Sequence, residues 1–290
     1  MIADSTIAVV GLGLMGGSFA RAVAAQGARV VAYDRNAEHL EQATRDGVVS
    51  GALGRDLSGM EEADVVVVAL PVDATCLALP VLAQRATKAR LLMDLASTKR
   101  NVVACAESAG VGERFVGAHP LAGSHRSGWS AARASLFDEA RVFLCPTPTT
   151  SRATLQMAEQ LWHALHARTE ALNAEAHDVE MAWCSHLPHF MASALATTLQ
   201  DAGLPRSALG SGGRDMTRLA GSSTAMWTAI AADNADAITQ ALSSFEARLR
   251  EVREAIACRD PARTRALLEA GRQWFLEESS ETAGGAERAG

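Results

Sequence analysis

Apolar positions in the first half of the chain fall in short unbroken runs separated by longer amphipathic stretches. In the second half they recur at helical spacing alone. Residues 7–10 (Ile-Ala-Val-Val), 65–70 and 91–93 are apolar throughout, as strands buried on both faces must be. Between them the pattern predicts helices through Phe19 and Val23, over about 37–46, and through Leu77 and Leu82. Strands that alternate with helices in this way predict a parallel sheet covered on both faces. Shorter strands are predicted at 115–118, 142–144 and 169–172, and Ser151 has the character of an N-cap for a helix carrying Leu155, Leu161, Trp162 and Leu165.

From about Asn173 strand signals vanish. A helix from about His177, rich in Ala and Met, is expected to kink at Pro188 in its interior. Later helices are expected over 235–256 and, with Asp260 as N-cap and Pro261 at the first helical position, up to about Glu277. The predicted fold class is therefore α/β: a Rossmann-type, doubly wound parallel sheet over residues 1–172, then an all-α domain over 173–278. Residues 279–290 are small and polar, and a disordered tail is expected there. A helical domain of this size has a limited core, so a homodimer formed through it is expected.

Composition narrows the classes without selecting one. The 290 residues are 48% hydrophobic and 21% charged, ordinary for a globular protein. The net charge of −6 argues against a nucleic-acid partner, and it means that an anionic substrate must be held by particular arginines. The start, Met1 to Asp4, lacks a basic signal region and the longest apolar runs are too short to span a bilayer, so a cytoplasmic location without membrane contact is expected. Five scattered cysteines form no CxxC pair and read as buried or half-buried thiols. The tryptophans, Trp227 included, are expected in the core.

The chemistry begins at Gly11-Leu12-Gly13-Leu14-Met15-Gly16, which follows the first strand and opens a helix. Glycines at these positions permit a tight turn, close approach of the backbone to a pyrophosphate, and close helix–strand packing, while the helix N-terminus offers free N–H groups. Asp34 closes the second strand about where a carboxylate would accept the ribose hydroxyls and repel a 2′-phosphate, which favours NAD over NADP. Arg35 beside it can stack on adenine or pair with a 2′-phosphate. Leu70 and Pro71, at the end of the 65–70 run, complete the cofactor candidates.

In open α/β sheets ligands bind at the carboxyl ends of the parallel strands. Two segments occupy such ends: Asp94-Leu95-Ala96-Ser97-Thr98-Lys99 and His119-Pro120-Leu121-Ala122-Gly123-Ser124. A histidine titrates near neutrality and can take a hydroxyl proton as a hydride leaves the same carbon, and Ser97 can orient that hydroxyl. The residues alone equally allow His119 as a loop histidine satisfied by backbone and Ser97 as a helix N-cap. In the helical part, Ser185-His186-Leu187-Pro188-His189 lacks a third ligand at workable spacing, so no metal site is expected. Arg218 suits a bidentate carboxylate clamp, or a structural pair with Asp215 one turn away.

Taken in order, GLGLMGGS (11–18), DLASTK (94–99), HPLAGS (119–124) followed by SGW (127–129), LF (136–137), SHLPH (185–189) and GGRDMTR (212–218) resemble the prephenate/arogenate, or cyclohexadienyl, dehydrogenase family. The resemblance covers nearly the whole chain. It implies NAD-dependent oxidative decarboxylation of a cyclohexadienyl substrate in tyrosine biosynthesis: prephenate to 4-hydroxyphenylpyruvate, or arogenate, or both. By the family's pattern His119 takes the proton of the ring hydroxyl and Ser97 supports that contact. Arg218 holds a substrate carboxylate, positioned by Asp215, His189 meets the side-chain end, and Ser124 lies at the substrate. Many relatives carry an acid after this serine, where the chain has His125 and then Arg126; losing a partner for an amino group favours prephenate.

Other readings stand beside this one. An amino analogue of prephenate is a possible substrate class. A β-hydroxyacid dehydrogenase would need a lysine in the second domain, yet the chain's lysines are Lys88 and Lys99. A non-enzymatic NAD sensor would need a partner-binding element that the sequence does not display.

Overall fold

The alternation of apolar runs becomes one eight-stranded sheet. The computed structural model describes residues 2–123 and 126–286. Its strands are β1 (Thr6–Val10), β2 (Arg29–Tyr33), β3 (Gly51–Ala52), β4 (Val65–Val68), β5 (Leu91–Asp94), β6 (Phe115–Pro120), β7 (Arg141–Pro146) and β8 (Arg168–Ala171), in the spatial order 3-2-1-4-5-6-7-8. The helices are α1 (Leu14–Ala25), α2 (Ala37–Arg45), α3 (Val72–Arg85), α4 (Arg100–Ser108), α5 (Arg152–Ala164), α6 (Ala174–Met181), α7 (Leu187–Asp201), α8 (Ser211–Met216), α9 (Thr224–Asp233), α10 (Ala235–Ala257) and α11 (Pro261–Ala286).

Alternating side chains of each central strand enter two separate cores. Ile7 and Val9 of β1 pack with Phe19, Val23 and Trp162 on the side of α1 and α5. Ala8 and Val10 pack with Leu79, Leu82, Val102 and Val103 on the side of α3 and α4. A strand with both faces covered has no polar face to show, which is why these runs are apolar at every position. Strand order reverses between β1 and β4, so a crevice opens where Gly11 follows one strand and Ala69 the other.

Three departures from the sequence pattern have physical causes. β7 runs antiparallel to β6, so the sheet is mixed rather than wholly parallel. Among the described residues the connection from β6 to β7 holds only short 3₁₀ turns (Trp129–Ala131 and Ala134–Phe137), and a return without a crossover helix yields an antiparallel neighbour. Pro188 lies within an unbroken helical run from α6 to α7, and the irregularity takes the form of a wider π-type turn over Ala182–His186 just before it rather than a kink at the proline itself. Finally, α11 continues to Ala286, past Glu277, so residues 279–286 are helical where a disordered tail was expected. Extending an existing helix is far easier than nucleating one.

The chain divides into two compact units, Met1–Ile238 and Thr239–Gly290. The first holds the sheet and also the helices through α9. In the second, Asp260 caps α11 as its sequence predicts, accepting the Arg263 N–H at 3.0 Å. Among the described residues no helix is long and apolar enough to cross a membrane.

Trp129 and Trp162 are buried and Trp227 is half-buried, but Trp183 and Trp274 are exposed rather than in the core. Ala182 and His186 take the inward face of the π-type turn, which rotates Trp183 outward. Likewise Cys184 and Cys258 are exposed, whereas Cys76, Cys105 and Cys145 are half-buried or buried.

Candidate active site

The glycine turn is shaped by close contacts. Gly11 has φ +97°, and a side chain there would meet the Ala69 carbonyl; a Cβ on Gly16 would lie 1.9 Å from the Gly11 carbonyl oxygen. Gly13 is different, since nothing lies within 4 Å of the place its Cβ would take. It is the N-cap of α1 and no side chain caps that helix, so its first N–H groups have no side-chain acceptor. A pyrophosphate fits such a cradle. At its rim Asp34 accepts the Leu12 N–H at 2.6 Å on one oxygen and the Asn36 N–H at 2.7 Å on the other, which fixes the carboxylate at the end of β2. Each oxygen keeps a lone pair for a ribose hydroxyl. Arg35 is exposed beside it, and Leu70 and Pro71 lie between β4 and α3 across the crevice.

His119 belongs to β6 itself, one residue before the strand's end, instead of to the loop after it. Among the described residues it bonds to another imidazole and not to backbone. His119 Nδ1 lies 2.9 Å from His177 Nε2, and His177 Nδ1 lies 2.8 Å from Asp178 Oδ1. The Phe143 ring, from the residue paired with His119 across the sheet, packs edge-on against His177. Asp178 also accepts the backbone N–H of Lys99 at 2.8 Å and of Arg100 at 3.0 Å, and so caps α4 from α6. That settles Ser97: it does not cap this helix. It is half-buried, and its hydroxyl bonds to no partner among the described residues.

The surroundings keep these imidazoles neutral. Burial first, then His177, Lys99 and His186, hold His119 well below the usual histidine range. Burial outweighs the pull of Asp178 on His177, which is lowered as well. Lys99 is wholly buried and paired with Asp94, so it anchors the end of β5 and is not available as an acid or base in solvent. Asn234 closes the cluster, donating to the Asp178 carbonyl at 2.7 Å and accepting from Arg100 Nη2 at 2.8 Å, with His186 Nδ1 3.3 Å away.

A second group gathers around Trp227. The His189 ring stacks on it with centroids 3.6 Å apart, and Arg218 is close enough to depress the His189 pKa after burial has done so. His186 links the two groups, since it helps to lower His119 and is itself lowered in part by His189. Arg218 is exposed, and among the described residues no ion pair joins it to Asp215. α8 ends at Met216 and a 3₁₀ turn starts at Arg218, so the same-face spacing of a continuous helix is lost between them. Ser124 and His125 lie outside the described residues. A cavity of about 1070 Å³ between α3, α4 and α9 offers Asp73, Asp233 and two thiols but no cation to hold an acidic substrate.

Sequence reasoning did not find His177, Asp178 or Asn234. His177 and Asp178 stand next to each other in a helix whose other residues give no hint of what they face.

The family model described as the nucleotide-binding domain of prephenate dehydrogenase matches residues 19–171, and the one described as its dimerization domain matches 173–270. The chain belongs to the prephenate dehydrogenase family. It is 36% identical over 256 residues to prephenate dehydrogenase of Bacillus subtilis, covering 85% of this chain and 68% of that one. It is 32% identical to the cyclohexadienyl dehydrogenase of Zymomonas mobilis, covering 88% and 89%. Among solved structures, prephenate dehydrogenase from Aquifex aeolicus, in complex with hydroxyphenyl propionate and NAD+, superposes with a TM-score of 0.87 at 29% identity, covering 95% of this chain and 98% of that one.

Two of the segments that carry the resemblance are packing devices in this fold. Trp129 of the SGW segment donates to Asp46 at 2.9 Å beneath the Arg21 guanidinium, and Phe137 of the LF pair packs edge-on against Trp162. Together they pin the chain after His119 onto the side of α1.

Proposed function

We propose that the protein catalyses the NAD-dependent oxidative decarboxylation of prephenate to 4-hydroxyphenylpyruvate, with arogenate as the second reading. The observation that carries this is a neutral imidazole, His119, at the carboxyl end of a strand in a sheet whose glycine cradle is built for a dinucleotide. NAD, held at Gly11 to Gly16, Asp34, Arg35, Leu70 and Pro71, supplies the hydride acceptor. His119 takes the hydroxyl proton as that hydride leaves the same ring carbon, which prevents charge from building on the oxygen. The ring carboxylate departs as carbon dioxide, its bonding pair enters the ring, and the new phenol oxygen recovers the proton. Ser97, whose hydroxyl bonds to no partner among the described residues, orients the hydroxyl of the substrate. Arg218 clamps a carboxylate of the substrate, His189 on Trp227 forms the wall beside it, and Ser124 lies at the substrate. Asp215 belongs to the same subsite, though not as the partner that orients Arg218.

The helical region, which we assign to residues 173–278, is proposed to pair with a second copy. Leu242, Leu249 and Ile256 are exposed on α10 at heptad spacing, and Leu268, Trp274, Phe275 and Leu276 are exposed on α11. A second copy would cover them.

NAD reduction by the purified protein, offered prephenate and arogenate separately, tests the reading. Prephenate is expected to be turned over with the higher kcat/KM; turnover of neither would end it. Arg218→Ala is expected to raise the substrate KM at least about tenfold with NAD affinity unchanged.

A further inference from the structure

We propose that His177 and Asp178 are positioning residues for this reaction: they fix the tautomer of His119 and disperse the charge it takes up. The inference deepens the reading of His119 as the base and rests on it.

Counting hydrogens fixes the role of each nitrogen. Asp178 receives the backbone N–H groups of Lys99 and Arg100, which can only donate, together with Arg100 Nε at 3.4 Å. A carboxyl group so surrounded is an acceptor, so the hydrogen between it and His177 sits on His177 Nδ1. His177 is fully buried, and the groups around it besides Asp178 include His119, His186, Lys99, Asp94 and the Phe143 ring. A neutral imidazole protonated on Nδ1 presents a lone pair on Nε2. That lone pair faces His119 Nδ1 at 2.9 Å, so His119 must donate there. The remaining nitrogen of His119, Nε2, is then left with a lone pair. A carboxylate two links away has made His119 a base at Nε2, the ring nitrogen that bonds to no partner among the described residues.

The same chain acts when the proton arrives. The substrate O–H bond breaks and the proton binds His119 Nε2, giving an imidazolium whose Nδ1–H already points at an acceptor. His177 can share that proton while its own Nδ1–H strengthens its bond to Asp178, so the positive charge is spread toward a fixed negative one. When the phenol oxygen takes the proton back, every hydrogen returns to its starting atom.

Nitrogen-15 NMR of the imidazoles in the intact protein tests the first half without any substrate, with signals assigned through His119→Gln and His177→Gln. Both rings are expected to be neutral near pH 7.5 with the hydrogen on Nδ1. A His119 ring protonated on Nε2 would overturn the proposal even if the enzyme oxidises prephenate, whereas an enzyme inert toward prephenate would leave this measurement meaningful. Kinetics tests the second half. His177→Leu removes the acceptor and is expected to lower kcat about 10²-fold with the KM values for substrate and NAD within about threefold. His177→Gln restores a neutral acceptor and is expected to recover part of the loss. Equal activity in Leu and wild type, or a loss confined to KM, would refute the role.

Discussion

Two helices leave the carboxyl edge of the same sheet with opposite kinds of N-terminus. α1 begins at Gly13 with no side-chain cap and nothing within 4 Å of the glycine's absent Cβ. α4 begins at Lys99 with its first N–H groups filled by Asp178, which arrives from α6. Unpaired N–H groups at a helix start carry partial positive charge and need an acceptor. Where the protein leaves them open, a ligand anion supplies it. Where the protein fills them with its own carboxylate, that carboxylate becomes a fixed post on which other side chains can be hung. Here the post carries His177 and, through it, His119.

On the proposed reading the open terminus takes the cofactor and the closed one serves proton transfer, and the largest expected effect separates them. His119→Asn is expected to fold and bind NAD as before, while turnover falls about 10²- to 10⁴-fold, the worth of a positioned base. Isothermal titration with NAD alongside steady-state kinetics checks both parts. A variant with weakened NAD binding and intact turnover would reverse the assignment.

How much of this was legible in the chain follows from the same contrast. The open terminus is local: strand, glycines and helix are contiguous, and the acid that rims them follows on the next strand, so the pattern announces itself. Ser97 and His119 were also visible, because strand ends are where ligands gather. Asp178 and His177 were not. Their partners lie on β6 and at the start of α4, far away in sequence, and only the packing of α6 against the sheet brings them together. Asp215 failed for a related reason: its spacing to Arg218 presumed a continuous helix, and the chain breaks the helix between them.

The closed terminus should also be the part that acid attacks. Burial lowers His186 to about 4, and His119 and His177 are lowered too. A histidine depressed in the folded state binds its proton more readily when unfolded. Its contribution is therefore complete above the unfolded pKa of about 6.5 and is lost as the pH falls toward 4. For His186 alone this is on the order of 3 kcal/mol. Urea unfolding at pH 7 and pH 5 is expected to show the loss, and His186→Gln, which cannot be protonated there, is expected to flatten it. An unchanged slope in that variant would remove His186 from the account.

Within the open terminus two glycines are predicted to part company. Gly16→Ala drives a methyl group into the Gly11 carbonyl and is expected to cost about 1–3 kcal/mol of stability. Gly13→Ala meets no protein atom, so the melting temperature should hardly move, yet NAD affinity is expected to fall about tenfold because the methyl group stands where the pyrophosphate approaches. Unchanged NAD affinity would show that the anion binds elsewhere.

The smallest effect isolates capping from catalysis. α5 starts with a cap of the ordinary local kind, the Ser151 hydroxyl accepting the Thr154 N–H at 3.1 Å. Nothing else hangs from it except a hydroxyl contact within the same turn, to Thr154 at 2.8 Å. Ser151→Ala is expected to cost about 1 kcal/mol in a denaturant melt and to leave kcat and both KM values untouched. If filling a helix terminus were all that Asp178 did, disturbing its partners would look the same. A kinetic defect in Ser151→Ala would mean that helix destabilisation by itself reaches the chemistry. In that case the losses expected on the His177 side could not be credited to the imidazole chain.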